Sequence, residues 1–239
     1  MPYETRLLRR ETVAEGTMAF YFERPRDFAL QAGQNGLVSL LDARDFDGYG
    51  PTRTFTFASA PHEPELMIAT RMRDTAFKRT LKSAPLGLRV GLDGPNGVMT
   101  LHEDASRAAV FIAGGVGVTP FRSMACHAAH ARLPHRIWLF YSNRRPEDAA
   151  FIGELRELEK ANPNYRFVPT MVEMDKSALP WSGETGVIGR PLLERHLQGA
   201  RSPVFYLAGP PGMVIGMQTM LQGMGVSLDD VRDEEFYGY

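Results

Sequence analysis

The N-terminal part of the chain alternates between apolar and polar positions over short segments, with no helical periodicity before Thr75. Residues 17–23, 37–41, 52–58 and 66–71 are rich in β-branched and aromatic side chains, and glycine or proline residues separate many of these segments. A period of two residues is typical of antiparallel strands. The pattern therefore predicts an antiparallel β-barrel domain over residues 1–103.

From residue 104 onward, continuous apolar runs alternate with segments of helical character. Short continuous apolar runs are typical of parallel strands that helices cover on both faces. Strands are predicted at residues 108–113, 136–142, 165–172 and 203–208 and near Val231, and helices at 119–131, 147–161, 190–198 and 211–224. We therefore expect an α/β Rossmann-like domain with a parallel sheet over residues 104–239, which binds ligands at the carboxyl ends of its strands.

The segment Ala113 to Pro120 (AGGVGVTP) joins the clearest strand of this second domain to a helix through three glycines. Glycine lets backbone amides approach an anion, and a helix start adds roughly half a positive charge. Thr119 is predicted to cap the helix, and Pro120 fits its first position. The segment fits a turn that binds the pyrophosphate of a dinucleotide, although a tight turn in another α/β domain has the same pattern.

Composition narrows the possible functions. The chain has 239 residues, a formal net charge of −1 and no long basic tract, so we expect neither nucleic acid nor a membrane surface as a partner. No signal-peptide pattern and no run of about eighteen apolar residues occurs, which predicts a cytoplasmic protein. Cys126 is the only cysteine, which excludes an intrachain disulfide and a multi-cysteine iron–sulfur or zinc site, and no metal site is expected.

Two segments of the first domain carry candidate binding chemistry. In Arg53-Thr54-Phe55-Thr56, the guanidinium suits a phosphate, the ring suits a flat ring system and the Thr56 hydroxyl suits a ring heteroatom. A half-exposed strand with a core-facing Phe55 has the same pattern. Further on, Thr75 to Leu81 opens a helix with Lys78 and Arg79 in its first turn, which indicates either a second anion site or a solvated basic face.

Taken together, these segments resemble the ferredoxin-NADP reductase superfamily along nearly the whole chain. Six segments match its motifs in the expected order: Phe28 to Gln34 (FALQAGQ), Arg53 to Thr56, Gly94-Pro95-x-Gly97, Ala113 to Pro120, Tyr141 to Arg144, and Ala208 to Met213 (AGPPGM). Phe55 stands where the family usually has tyrosine, and Ala208 stands where many relatives have cysteine. An ordered set of matches is far more specific than any one of them.

The resemblance implies FAD on the barrel, NADPH or NADH on the second domain, and a hydride transferred between them. The implied FAD contacts are Arg53, Thr54, Phe55, Thr56, Thr70, Ala76, Phe77, Lys78 and Tyr239. The implied nicotinamide nucleotide contacts are Gly115, Gly117, Thr119, Pro120, Ser142, Asn143, Arg144, Gly209, Pro210 and Pro211. The implied catalytic residues are Thr56, near the flavin N5, and Glu235, a carboxylate near the C-terminus.

The same resemblance predicts a reductase that passes electrons to a separate protein, either a ferredoxin or an oxygenase component. A free-flavin or ferric reductase and a non-catalytic or complex-dependent electron-transfer subunit are the alternatives. Arg144 favours NADPH because an arginine can hold a 2′-phosphate, whereas Glu147 and Asp148 close by keep NADH open. The sequence does not identify the acceptor or the oligomeric state.

Overall fold

The computed structural model describes residues 3–42, 47–48 and 50–237, so the predicted flavin contact Tyr239 lies outside the described residues. The first sheet contains β1 (Tyr3–Ala14), β2 (Thr17–Glu23), β3 (Asn35–Leu40), β4 (Thr52–Thr56), β5 (Glu65–Arg71) and β6 (Arg89–Asn96), and helix α1 (Ala76–Ser83) lies between β5 and β6. The strands run antiparallel in the order β4-β3-β6-β1-β2-β5. The sheet curls into a half-barrel, and Phe57 bridges Ile68 across its two edges.

Strand β2 shows how the alternating pattern fixes this arrangement. Phe20 and Phe22 are fully buried inside the half-barrel. Ala19 and Tyr21 point to the other face, where they join a cluster that includes Val116 from the second half of the chain. Because alternate residues of a strand face opposite sides, one strand fills the barrel core and also packs against the second half of the chain.

The second sheet contains β7 (Ala109–Gly114), β8 (Ile137–Asn143), β9 (Tyr165–Met171), β10 (Glu184–Thr185), β11 (Val204–Gly209) and β12 (Val231–Glu235). Its helices are α2 (Thr119–His130), α3 (Ile152–Ala161), α4 (Arg190–His196) and α5 (Pro211–Gly223). Its strands pair parallel in the order β10-β9-β8-β7-β11-β12. The predicted fold class, an antiparallel barrel-like sheet followed by an α/β parallel sheet, is confirmed.

Helices cover the parallel sheet on both faces. Phe111 of β7 packs with Phe121 of α2 on one face, whereas the preceding Val110 packs with Val214 of α5 on the other. All four side chains are fully buried. Each such burial contributes roughly 1.5–3 kcal/mol, which explains why these strands are continuous apolar runs.

Two local predictions in this half of the chain were wrong. Thr119 does not cap α2: a 3₁₀ turn over Gly115–Val118 precedes the helix, and the Thr119 hydroxyl donates to the Val116 carbonyl at 3.1 Å. Helix α3 begins at Ile152 rather than at residue 147, because Phe151 has a φ of +59°, which is incompatible with a continuous helix. In both places a nearby residue, Val116 or Phe151, packs against the cluster that contains Ala19 and Tyr21 of β2.

A buried arginine joins the two sheets. Arg122 of α2 is 6% exposed and donates to the Ala58 carbonyl at 2.7 Å and to Glu63 at 2.9 and 3.0 Å, all in the first half of the chain. It also donates to Glu154 of α3 at 2.6 and 2.9 Å. The fork of guanidinium donors is therefore satisfied from both halves of the chain. In the part of the chain described by the structure, no helix is both long and apolar enough to cross a bilayer.

Candidate active site between the two sheets

A cavity of about 600 Å³ lies between the half-barrel and the second sheet. Its lining includes these residues predicted for the flavin site: Arg53, Thr54, Phe55, Thr56, Thr70, Phe77, Lys78 and Glu235. Thr119, predicted for the nicotinamide nucleotide, lines this cavity as well. Val116 and Glu234, which were not among the predicted contacts, also line it. The structure therefore gathers most of the predicted flavin residues around one space and adds contacts from the second sheet.

The wall on the barrel side is aromatic. The rings of Phe55 and Phe77 lie 5.6 Å apart at 33°, and the Arg53 guanidinium lies 5.4 Å from the centre of the Phe77 ring. Phe236 lies at the opposite end of the chain and also lines the cavity. Aromatic faces are a suitable surface for a flat heterocycle such as a flavin ring.

The carboxylate of Asp47 shows how this site binds an anion. Arg53 Nη2 donates to Asp47 Oδ1 at 2.9 Å, and the Ala76 amide at the start of α1 donates to Oδ2 at 3.1 Å. Thr75 caps the helix by accepting from the Lys78 amide at 3.3 Å. One negatively charged group thus bridges the guanidinium and the helix start. Because a pyrophosphate requires the same donors, these residues fit FAD.

Replacing Asp47 with asparagine is expected to tighten FAD binding about threefold to tenfold. The wild-type carboxylate competes with the FAD phosphates for Arg53 and Ala76, and a partly exposed ion pair contributes up to about 1 kcal/mol. Titration of the flavin-free protein with FAD, followed by flavin fluorescence, measures the change.

The control for this substitution is Asp74→Asn. Asp74 also lies near the start of α1, but its carboxylate pairs with Arg79. The Asp74→Asn substitution removes the same charge without freeing the Arg53 and Ala76 donors. Equal tightening in both variants would attribute the effect to net charge, and unchanged affinity in Asp47→Asn would contradict competition.

The floor of this cavity holds a carboxylate from the second sheet. Thr56, which is 5% exposed, donates to Glu234 Oε1 at 3.1 Å and to Oε2 at 3.2 Å. Asn35 Nδ2 also donates to Oε1, at 3.0 Å. Burial raises the pKa of Glu234, and the hydrogen bonds from Asn35 and Thr56 lower it by a smaller amount. A proton is therefore held more tightly at Glu234 than at an exposed glutamate.

Glu235, the carboxylate chosen from the sequence, lines the same cavity but has a different partner. It accepts a hydrogen bond from the Tyr237 hydroxyl, whereas its neighbour Glu234 accepts from Thr56. Neighbouring residues of a strand point in opposite directions, so only one of the two carboxylates can face Thr56. Two adjacent glutamates carry no sequence signal that distinguishes them.

A second cavity, of about 410 Å³, lies at the carboxyl ends of the parallel strands. Its lining includes these predicted nucleotide residues: Gly115, Ser142, Asn143, Arg144 and Pro210. Its other lining residues are Arg71, Arg73, Gly114, Asp148, Val172, Val187 and Met213. The position is the one at which α/β sheets generally bind ligands.

Asn143 gives a test of whether the second cavity suits a polar ligand. Asn143 is one of the lining residues and is 5% exposed, its Nδ2 and Oδ1 are buried, and neither atom makes a hydrogen bond with any residue that the structure describes. A buried carboxamide without partners costs free energy. An unpaired donor and an unpaired acceptor beside the cavity therefore fit a polar ligand such as a nicotinamide nucleotide.

Arginines surround one buried carboxylate beside this second cavity. The Asp148 side chain is 3% exposed and accepts from Arg144 at 2.8 Å and from Arg145 at 3.0 Å, and Arg71 lies 3.5 Å away. Burial raises the pKa of Asp148, but the hydrogen bonds and charges of Arg145 and Arg144 outweigh it and the pKa lies below its usual value. The positive charge of the three arginines therefore exceeds the negative charge of Asp148 at this part of the cavity.

The remaining predicted nucleotide residues shape the backbone around the two cavities. A Cβ atom on Gly117 would lie 2.3 Å from the Ala208 carbonyl oxygen, so this glycine allows the turn to pack against β11. Gly209 ends β11 at a φ of +155°. Pro120 lies in the first turn of α2, and Pro211 is the first residue of α5.

Comparisons with known proteins agree with this geometry. Residues 111–219 match the family model of the oxidoreductase NAD-binding domain. The chain is 28% identical to ferredoxin–NADP reductase B of Sorangium cellulosum over 98% of both chains. It is 24% identical to the glycine betaine monooxygenase reductase subunit of Chromohalobacter salexigens, with 95% of this chain and 61% of that relative covered. The crystal structure of a ferredoxin NADP⁺ reductase from Neisseria gonorrhoeae with bound FAD and NADP superimposes over 98% of both chains, with 22% identity and a TM-score of 0.79.

The fold, the two cavities and these similarities define an FAD-dependent NAD(P)H oxidoreductase. Its cofactors are FAD and NADPH or NADH. These similarities support the ferredoxin-NADP reductase superfamily, as the order of the motifs predicts. It spans nearly the whole length of the Sorangium reductase but 61% of the glycine betaine monooxygenase subunit.

Proposed function

We propose that this protein oxidises NADPH, in preference to NADH, and passes the electrons through FAD to a separate redox protein. FAD binds on residues 1–103 and the nucleotide on residues 104–239. The observation that carries the proposal is the larger cavity, because Phe55 and Thr56 line it from the half-barrel while Val116 of the 3₁₀ turn and Glu234 of β12 line it from the second half of the chain. A flavin held there lies directly beside the nucleotide-binding half of the chain.

The chain's own residues bind and orient the cofactors. Arg53, the start of α1 and Lys78 would hold the FAD phosphates, and Phe55 would pack against the ring. Burial, followed by the charges of Arg73 and Arg53, lowers the pKa of Lys78. A phosphate beside Lys78 would offset this effect.

In the second cavity, Gly115, Asn143 and Pro210 would contact the nucleotide, because they line it. When bound, FAD supplies the redox chemistry, because it accepts two electrons with a hydride and releases them one at a time. The hydrogen bond between Thr56 Oγ1 and the Glu234 carboxylate holds a proton beside the space for the flavin. Positioning accounts for most of the rate, because hydride transfer requires close, aligned rings.

A separate electron acceptor is favoured by the names of two relatives. One is a ferredoxin–NADP reductase and the other is the reductase subunit of a monooxygenase. Three exposed basic residues follow one another along this part of the chain: Arg73 lines the larger cavity just before α1, and Arg79 and Lys82 lie within α1. A basic rim of this kind favours docking of an acidic ferredoxin or oxygenase component.

The preference for NADPH rests on the charge around the second cavity. Arg71, Arg73 and Arg144 line it, and the one carboxylate in its lining, Asp148, is hydrogen-bonded to Arg144 and Arg145. A ribose 2′-hydroxyl is usually recognised by a free carboxylate, whereas a 2′-phosphate is recognised by arginine. The described lining of this cavity therefore suits the 2′-phosphate better.

The test is an anaerobic spectrum of the FAD-loaded protein before and after addition of NADPH or NADH. We expect both nucleotides to bleach the flavin, NADPH faster. In Arg144→Ala the ratio of the two catalytic efficiencies should fall about tenfold toward NADH, because one charge-assisted hydrogen bond to the 2′-phosphate is lost.

Arg190→Ala is the matched control, because Arg190 is an exposed arginine of α4 that pairs with Glu194. Its ratio should equal that of the wild type. An unchanged ratio in Arg144→Ala would remove Arg144 from nucleotide selection. A flavin that neither nucleotide bleaches would refute the proposed reductase activity.

A further inference from the structure

Asn35 and Thr56 lie directly opposite each other in the half-barrel. They are paired residues of the antiparallel strands β3 and β4, and Asn35 also pairs with Asn96 of β6. Side chains of directly paired residues emerge on the same face of a sheet. Both side chains meet Glu234, with Asn35 Nδ2 at 3.0 Å and Thr56 Oγ1 at 3.1 Å from Oε1. The pairing of two strands therefore delivers two donors to one carboxylate of the other sheet.

Gly97 leaves the space in which the Asn35 amide lies. A Cβ atom on Gly97 would be 3.1 Å from Asn35 Nδ2 and 3.5 Å from Cγ, and the φ of Gly97 is +93°. A side chain at this position would be strained and would press on the amide. Asn35 is thus held between Gly97 on one side and Glu234 on the other.

The pKa of Glu234 depends on its burial and its hydrogen bonds rather than on the charged groups around it. Besides Glu234, the ionisable groups lining the cavity are Arg53, Arg71, Arg73, Lys78, Glu235 and Tyr237. Glu235 and Tyr237 are hydrogen-bonded to each other. Burial raises the pKa of Glu234. Within the described residues, the hydrogen bonds from Asn35 and Thr56 act against that increase.

We propose that Asn35 is a positioning residue that sets how tightly Glu234 holds a proton at the floor of the flavin cavity. The inference rests on the proposed function, which assigns proton handling to Thr56 and Glu234. The Nδ2 donor stabilises the ionised carboxylate more than the neutral acid, since a hydrogen bond to a charged acceptor is the stronger one. Asn35 therefore keeps Glu234 ready to accept a proton despite its burial.

This property matters because a hydride brings two electrons and a hydrogen to FAD together, whereas the proposed function passes the electrons on one at a time. When the electrons leave, that hydrogen has to leave as a proton, either to a nearby group or to water. A glutamate that stayed neutral throughout would not exchange protons with that site. Asn35 brings the proton affinity of Glu234 back toward the range in which exchange is effective.

The experiment measures the titration of Glu234 directly. The protein is labelled with ¹³C at the glutamate side-chain carboxyl groups, loaded with FAD and titrated by NMR without any nicotinamide nucleotide. In Asn35→Leu the Glu234 signal should titrate about one pH unit higher than in the wild type, because a donor to the ionised form is lost. Glu234→Gln assigns the signal by removing it.

Asn96→Leu is the control. Asn96 pairs with Asn35 across β3 and β6, but its side chain faces the Asp93 carbonyl, at 3.5 Å. The Glu234 titration should stay at its wild-type position in this variant. If Asn35→Leu does not fold, Asn35→Ser is titrated instead, since serine is too short to reach Glu234. An unshifted Glu234 titration in the folded Asn35 variant overturns the proposal.

The pH profile of turnover gives a second readout, and it separates this proposal from the proposed function. The limb of the kcat/KM profile that reports Glu234 should move upward by the same amount as the NMR titration. A protein whose flavin is bleached by NADPH but whose Glu234 titration ignores Asn35 refutes the positioning role alone. A shifted titration in a protein that NADPH does not reduce refutes the reductase function and leaves the Asn35 contact established.

Discussion

Replacing Arg53 with alanine is expected to weaken FAD binding about a hundredfold. Arg53 lines the larger cavity, and its guanidinium and the Ala76 amide together hold the Asp47 carboxylate. Charge-assisted hydrogen bonds of this kind contribute about 1.5–3 kcal/mol, and 1.4 kcal/mol corresponds to a factor of ten in affinity. The Asp47 carboxylate would also remain beside the FAD phosphates without its main cation. Titration of the flavin-free protein with FAD measures the loss.

Two further variants define what Arg53 does. Arg53→Lys keeps the charge but not the planar fork, so we expect an affinity between those of the wild type and Arg53→Ala. Arg26 is an exposed arginine of the barrel, and Arg26→Ala should bind FAD as the wild type does. Wild-type affinity in Arg53→Ala would show that the phosphates bind elsewhere.

Replacing Gly117 with alanine is expected to lower the free energy of unfolding by more than about 3 kcal/mol. The new Cβ would lie 2.3 Å from the oxygen and 2.5 Å from the carbon of the Ala208 carbonyl, and both are backbone atoms. Ala208 belongs to β11, which is paired on both sides by β7 and β12, so it cannot move without disturbing the sheet. Urea denaturation measures the change, and nicotinamide nucleotide binding should weaken with it.

Gly216→Ala is the matched control for this substitution. Gly216 lies inside α5, and a Cβ atom there would have no neighbour within 4 Å in the part of the chain that the structure covers. Alanine is favoured over glycine in a helix by about 1 kcal/mol, so this variant should be more stable than the wild type. The same chemical change thus has opposite signs at the two sites. A Gly117→Ala protein within about 1 kcal/mol of the wild type would show that the turn has room to move.

The sequence predicted the two sheets because their residues repeat a simple pattern. The predicted strand 17–23 coincides with β2, where alternate side chains fill the barrel and pack against the second sheet. The predicted strand 37–41 is observed as Asn35–Leu40. It begins earlier because Asn35 pairs with Thr56 of β4 and Asn96 of β6. The side chain of Asn35 is polar, and its partner Glu234 is far away in the sequence. A local pattern carries no information about such a partner.

The candidate site likewise contains residues that the sequence predicted and residues that it did not. Arg53, Phe55, Thr56, Gly115 and Arg144 were predicted because they belong to motifs, and the structure places them around the two cavities. The positions of Asp47, Asn35 and Glu234 depend on where loops and strand ends meet in space. Within the sequence, nothing marks Glu234 rather than Glu235 as the carboxylate beside Thr56.

The Arg122 contact has a consequence for recombining this chain with other reductases. Its guanidinium is buried in the α/β half, but it depends on Glu63 and the Ala58 carbonyl in the other half. An α/β half grafted onto a barrel without that carboxylate would bury an incompletely paired charge, at a cost of about 3–5 kcal/mol. The two halves are therefore a co-adapted pair rather than interchangeable modules, and a productive chimera must carry Glu63 along with Arg122.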